Sequence, residues 1–225
     1  MKLRTAFLLI LLVIVADQAL KIWIKTHFLY GPVMNLAGQK WAQLYFIENS
    51  GMAWGMELGG NWGKLILTLF RLVAVTFGSW YLVKIVREKY TTGFIVCASL
   101  IYAGALGNLI DSMFYGMIFS ESSYLQVARA FPPEGGYGGF LHGKVVDMLY
   151  FPMIENAHFP KWMPFIGGKE FTFFSPIFNI ADAAISIGVL TLLAFQKRFM
   201  HKEEHTADTV TVEKSITPEE AKHMI

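Results

Sequence analysis

Two aspartates stand beside strongly apolar residues: Asp147 in Val145-Val146-Asp147, and Asp182 in Phe178-Asn179-Ile180-Ala181-Asp182. A carboxylate in hydrocarbon is costly, so it usually has a partner or a task. Two carboxylates held together cannot both ionise easily. They share a proton, and the ionised member can activate water while the protonated one serves as the acid. That chemistry cuts a peptide bond, and Asp147 and Asp182 are the expected catalytic pair. Asp182 lies just inside the last long hydrophobic segment, which puts the expected site at a membrane face. No metal or other cofactor is needed. A metal site of His142, Asp147 and Asp182 is conceivable, but the sequence has no His-Glu-x-x-His spacing. It also has no Gly-x-Ser-x-Gly element for a serine nucleophile, and no serine is matched to Lys21 as a serine–lysine base.

The composition sets the surroundings of such a pair. Of 225 residues, 54% are hydrophobic and only 16% charged, well below the charged quarter of a soluble domain. The chain therefore reads as a membrane protein. A net charge of +2 is too small to suggest nucleic acid as a partner. The lone cysteine, Cys97, lies in an apolar run and reads as core filler. Lys2 and Arg4 followed by Ala6–Ala16 resemble a signal peptide, yet the apolar pattern continues through Ile22-Trp23-Ile24. A retained helix is expected there.

Four segments approach the roughly 20 residues that cross a bilayer: about 5–26, 64–86, 93–113 and 177–196. The expected fold is an all-α membrane protein of four transmembrane helices with a small extracytoplasmic β-rich segment and loop. Residues 1–200 form one membrane-embedded domain, and 201–225 a polar, disordered cytoplasmic tail in which Thr217-Pro218-Glu219-Glu220 could start a short helix. Lys2 and Arg4, then Lys84, Arg87 and Lys89, then Lys197, Arg198 and Lys202 fall on one side of a four-span layout, which is thereby the cytoplasmic side for both termini. Residues 27–63 and 114–176 face outward. In them, 41–47 alternates enough for a strand, Glu48-Asn49-Ser50-Gly51 reads as a turn, and Lys144–Phe151 reads as a short extended piece. Pro160, Pro164 and Gly167-Gly168 should break regular structure, and Ser175-Pro176 should open the last helix.

At 1.5 Å of rise per residue, the polar side chains fall in one layer near the outer surface. Asp17 and Lys21, four apart, share a face and can pair, either as a structural ion pair or as part of the site. Asn108 and Asp111 share a face in the last turns of the third helix, and Asn179 and Asp182 in the first turns of the fourth. Arg71 lies roughly 10 Å below the outer end of the second helix by the same rise. An acid at a helix C-terminus is on the wrong side of the dipole, so Asp111 should have a cationic partner. A proton or ion path would need polar groups all the way across. The single layer therefore argues against a transporter. A non-catalytic scaffold, with the acids as interhelical glue, is the other alternative.

The series Asp17-Gln18-x-x-Lys21, Asn49-Ser50-Gly51-Met52-Ala53-Trp54-Gly55, Gly104-Ala105-Leu106-Gly107-Asn108-x-x-Asp111, Val145-Val146-Asp147 and Phe178-Asn179-x-Ala181-Asp182 resembles the bacterial lipoprotein signal peptidases, in order and spacing across nearly all of the chain except the tail. The resemblance implies a monomeric four-helix aspartic protease of the inner membrane, with its site near the outer face. Its partners would be membrane lipids and a diacylglyceryl-modified prolipoprotein, from which it removes the signal peptide. It also implies that Asp147 and Asp182 are catalytic, that Asn49, Gly51, Asn108, Asn179 and Ala181 shape the substrate pocket, and that Asp17 and Lys21 support it. Two departures stand out. The family usually has arginine after the aspartate matching Asp111, where this chain has Ser112. The loop from Met117 to Phe140 is also longer than typical, as a lid or a partner surface. Arg71, at a similar depth, is the expected substitute cation for Asp111.

Overall fold

The computed structural model describes residues 1–49, 60–164, 167–173 and 176–199. Helix α1 (Leu3–His27) is followed by strands β1 (Gly31–Asn35) and β2 (Gln43–Asn49), then the helical hairpin α2 (Gly60–Arg87) and α3 (Thr92–Ile110). A π-helical turn, Asp111–Tyr115, carries α3 into the single α turn α4 (Gly116–Ile118). After the long insert come β3 (Val145–Tyr150), β4 (Ile154–His158), β5 (Glu170–Phe173), β6 (Ile177–Phe178) and helix α5 (Ile180–Phe199). Among the described residues, four helices are long and apolar enough to cross a membrane. They leave large apolar side chains such as Leu12, Phe70, Val73, Phe77, Leu190 and Leu193 on the outside, as a bilayer solvent demands. Trp41, Trp62 and Trp162 are also exposed, and lie in or beside the segments joining the helices.

Helix α3 is the hub, packed on α1, α2 and α5. Its small residues make this possible. A Cβ on Gly104 would lie 2.2 Å from the Ala181 carbonyl oxygen and 2.7 Å from Ile185 Cγ1. The same holds from the other side, where a Cβ on Gly188 would lie 2.8 Å from the Cys97 carbonyl oxygen. Close approach through small residues is how membrane helices gain packing energy. Gly104→Ala is therefore expected to destabilise the protein by about 1–3 kcal/mol and to reduce activity by shifting α5, as read by thermal unfolding in detergent. A cysteine or serine at the solvent-ward Gly139, where an added Cβ meets nothing within 4 Å, should leave the melting point unchanged.

Between the helix ends lies a four-stranded antiparallel sheet of order β1-β2-β3-β6. One face packs on a core of Ile24, Leu44, Phe46, Tyr115, Phe119, Ala128, Val146 and Met148. A second core, with Ala6, Ile10, Leu82, Ile85, Phe94 and Ile95, closes the opposite end of the bundle.

The strand expected at 41–47 is shifted to Gln43–Asn49, so Glu48 and Asn49 are ladder residues and not a turn; Ser50, Gly51 and Trp54 lie outside the described residues. Pro160, Pro164 and Gly167-Gly168 lie in the connection between β4 and β5, as expected, but the strands on either side of them pair as a hairpin that was not expected. The last helix starts later than 177, because Ile177 and Phe178 pair with Tyr150 and Leu149. The third does not end near 113 but runs on through the π turn to Ile118. The tail from 201 onward, including Thr217–Glu220, is outside the described residues.

Candidate active site

Asp147 sits on β3, almost wholly buried. Its register partner is Ile47, and the diagonal neighbour on the same face is Asn49. Asn49 Nδ2 donates to Asp147 Oδ2 at 2.8 Å, and Asn179 Nδ2 donates to Oδ1 at 2.7 Å. Asp182 lies in the first turn of α5, half-buried. Asn108 Nδ2 donates to its Oδ1 at 2.7 Å. Asn179 is the N-cap of this helix: its Oδ1 accepts from the Asp182 N–H at 2.9 Å, and its own N–H donates to Asp182 Oδ2 at 3.4 Å. This reciprocal cap is a capping box with aspartate in the acidic position. It explains why α5 begins at Ile180 and not at Ser175-Pro176. A single asparagine thus touches both aspartates, from the amide on one side and the backbone on the other.

Behind this layer stands a buried cation. Lys21 Nζ pairs with Asp17 Oδ2 at 2.8 Å and Asp111 Oδ2 at 2.7 Å, and donates to Asn108 Oδ1 at 2.9 Å. These three acceptors use all three ammonium protons. Because Lys21 has no acceptor to offer, Asn108 must turn its oxygen inward and its amide toward Asp182. Asp17 Oδ1 in turn accepts the Ala181 N–H at 2.9 Å, which ties α1 to the open end of α5. The cation expected for Asp111 is therefore Lys21. Arg71 donates through Nη1 to Ser112 Oγ at 3.0 Å, and Ser112 Oγ donates to the Asn108 carbonyl oxygen at 2.9 Å. The guanidinium lies where Asp182, Asp111 and Asp147 all act on its charge. The reason given for a cation at Asp111 also changes. The helix does not end there, and it is complete burial that requires the ion pair.

Two contributors carried no role in the sequence reading. Gln18 Nε2 donates to Asp111 Oδ1 at 2.8 Å and to the Gly107 carbonyl at 3.2 Å, and its Oε1 accepts from the Tyr115 hydroxyl at 3.0 Å. Gln18 stands inside the Asp17–Lys21 motif, so its position was visible; Tyr115, brought round by the π turn, had no signal. Val146, next to Asp147, has both backbone groups taken by side chains. Its N–H donates to Asp111 Oδ2 at 3.4 Å, and its carbonyl accepts from Asn179 Nδ2 at 3.3 Å. His142 is turned aside, with Nδ1 2.9 Å from the Phe140 carbonyl oxygen. Among the described residues, no three His, Cys, Asp or Glu side chains form a group that could hold a metal ion.

The surroundings of Asp147 act strongly on its carboxyl group. Burial pushes the Asp147 carboxyl up to about 7, and the charge of Asp182 adds to this. The hydrogen bonds from Asn179 and Asn49 and the charge of Lys21 act the other way. Asp182 occupies a helix N-terminus, where the dipole favours negative charge.

The chain is similar to known proteins along most of its length. A family model for signal peptidase (SPase) II matches residues 9–197. A lipoprotein signal peptidase of Porphyromonas gingivalis is 52% identical over 191 residues, covering 84% of this chain and 81% of that protein. The lipoprotein signal peptidase of Amoebophilus asiaticus is 34% identical over 191 residues, covering 84% of this chain and 75% of its own. A bacterial membrane enzyme solved by the in meso method at 2.3 Å resolution superposes with a TM-score of 0.54 at 25% identity, covering 90% of this chain and 94% of that one.

Proposed function

The chain belongs to the signal peptidase II family, and from that premise we propose that it removes the signal peptide from diacylglyceryl-modified prolipoproteins by an aspartic mechanism in which Asp147 and Asp182 activate water. The observation that carries this reading is the shared asparagine: Asn179 binds both carboxyl groups, so the two are held as one unit. Asp182, as carboxylate, takes a proton from water, whose oxygen attacks the scissile carbonyl. Asp147, as carboxylic acid, donates its proton to the developing oxyanion or to the leaving amine. Asn49 and Asn108 hold the two carboxyls in orientation, and Lys21 and Asp17 hold Asn108 and the start of α5. Arg71, reaching Ser112 from α2, supplies positive charge beside the site. No metal takes part.

The proposed setting is the bacterial inner membrane, with both termini cytoplasmic and the site at the outer face, as a monomer. Support comes from the placement of Lys2 and Arg4, of Lys84, Arg87 and Lys89, and of Lys197 and Arg198 around four spans. A lipid-modified substrate would keep its acyl chains in the bilayer while its cleavage site meets the sheet.

The test is cleavage of a purified diacylated prolipoprotein in detergent by the purified protein, beside the same precursor without its lipid. Release of signal peptide from the acylated form alone is expected; no release from either would remove the reading. The pH dependence follows from Asp147. Its proton is lost as pH rises through about 7, so kcat/KM should fall on the alkaline side by about tenfold per pH unit, with an apparent pKa that belongs to the pair. A rate that stays level to pH 9 would remove Asp147 as the acid.

A further inference from the structure

A second buried ion pair lies outside the site, on the opposite face of the same strands. Lys25 is one helical turn beyond Lys21 on α1. Its ammonium pairs with the Glu48 carboxylate, with both side chains wholly buried. It also donates to Ser122 Oγ at 2.9 Å and lies over the rings of Phe119 and Tyr137 at 5.4 and 5.0 Å. Glu48 Oε2 accepts from the Tyr30 hydroxyl at 2.8 Å, and Glu48 Oε1 accepts from Ser122 Oγ at 3.3 Å. A cavity bordered by Tyr30, Glu121, Ser122 and Lys144 opens beside this cluster, and buried pairs of this kind seldom add net stability over apolar side chains of similar size. Their best-attested use is to fix a register.

A register needs fixing here. The β2–β3 ladder is irregular between Leu44 and Ile47, and among the described residues Ile47, Glu48 and Asn49 continue it, opposite Asp147, Val146 and Val145. Side chains alternate along a strand, so a slip of one residue would turn Asn49 away from Asp147. Gln43 and Leu44 pair upstream of that irregularity, so no continuous ladder ties the Asn49 rung to them. Resting on the catalytic assignment above, we propose that Lys25 and Glu48 are positioning residues: by gripping Glu48 from the core face, they hold Asn49 on Oδ2 of Asp147 from the other.

The insert between α4 and β3 supplies the rest of the grip. Its Ser122 binds both members of the pair, its Ser123 carbonyl accepts the Tyr30 N–H at 3.2 Å, and its Tyr137 hydroxyl accepts the Lys144 N–H at 2.6 Å. The long segment thus braces the start of β1 and of β3, which is a third role beside lid and partner surface. The charged and titratable groups around Glu48 are Lys25, Tyr30, Lys64, Tyr115, Glu121, Tyr137 and Lys144. Those around Asp147 are Asp182, Lys21 and Arg71.

The experiment compares Glu48→Gln, Lys25→Met, Asn49→Ala and Glu48→Gln/Asn49→Ala with the unmodified protein, by melting point in detergent and by kcat, KM and pH profile on a diacylated prolipoprotein. Folded Glu48→Gln should lose about ten- to a hundredfold in kcat with little change in KM. Its alkaline limb should move to higher pH, because the ionised Asp147 loses a hydrogen bond. Asn49→Ala should show the same displacement, and the double variant no more than Asn49→Ala alone. Three results would overturn the proposal: folded Glu48→Gln with the unmodified kcat and pH profile, losses that multiply in the double variant, or failure of both Glu48→Gln and Lys25→Met to fold where the unmodified protein folds, which would assign the pair to stability alone. A null result at Glu48 leaves the aspartic mechanism standing. That mechanism is tested separately, by the activity of Asp147→Asn and Asp182→Asn.

Discussion

Asp147→Asn and Asp182→Asn are each expected to lower kcat for signal-peptide release by roughly 10³-fold or more, in protein that still folds. Asparagine keeps the size of the side chain and one acceptor oxygen. It cannot exchange a proton with water or with the leaving amine. If the acids were only interhelical glue, the same changes would leave a partial activity set by altered packing. Purified variants assayed for release of signal peptide decide between the two, with the melting point in detergent as the control for folding. Activity within about tenfold of the unmodified protein would end the aspartic assignment. The Asp147 variant carries a second, independent expectation. The folded carboxyl titrates near 7, above its ordinary 3.8. A raised value means that the fold prefers the protonated form, so stability is present at low pH and is lost as pH rises through about 7. Asparagine cannot ionise. Asp147→Asn should therefore melt higher than the unmodified protein at pH 8.5, with the gap narrowing at pH 5.5 and closing only toward the ordinary carboxyl value of 3.8.

Lys21→Met is expected to be the most damaging change outside the two aspartates. Lys21, Asp17 and Asp111 are all wholly or almost wholly buried, and removing one member of such a cluster costs about 3–5 kcal/mol. Two carboxylates would then face each other without a cation, and Asn108 would lose the contact that sets its amide toward Asp182. The loss should appear as a large fall in melting point in detergent. It should be smaller at acid pH, where the stranded carboxylates can take up protons. Activity should fall with it, even at temperatures where the variant remains folded. An unchanged melting point would show that the cluster does not hold the bundle together.

The helices were legible because a membrane span is written in composition over some 20 residues, and the four segments needed only small changes at their ends. The pairing of Asp17 with Lys21 was legible because spacing along one helix is a local property. Its extension to Asp111 was not, since that contact joins α1 to α3 across ninety-odd positions and no periodicity links them. Arg71 was matched to Asp111 by depth alone, and depth carries no information about which way a helix faces. The start of α5 was misplaced for a similar reason. Ser175-Pro176 satisfies the local rules for a helix start, but two residues of strand pairing and the Asn179–Asp182 cap outweigh them. Lys25 and Glu48 drew no attention, because a charged residue near the end of a span reads as an interface group until a buried partner is found for it.

Strand β3 offers no vacant rung at Val146, next to Asp147. Both hydrogen-bonding groups of Val146 are already occupied by Asp111 and Asn179, so an incoming polypeptide cannot zip onto the backbone there as it would onto an open sheet edge. If the proposed function holds, selection would rest on bulk and on the greasy tail that moors the precursor. An enzyme built this way should accept many flanking sequences, provided the anchor is in place.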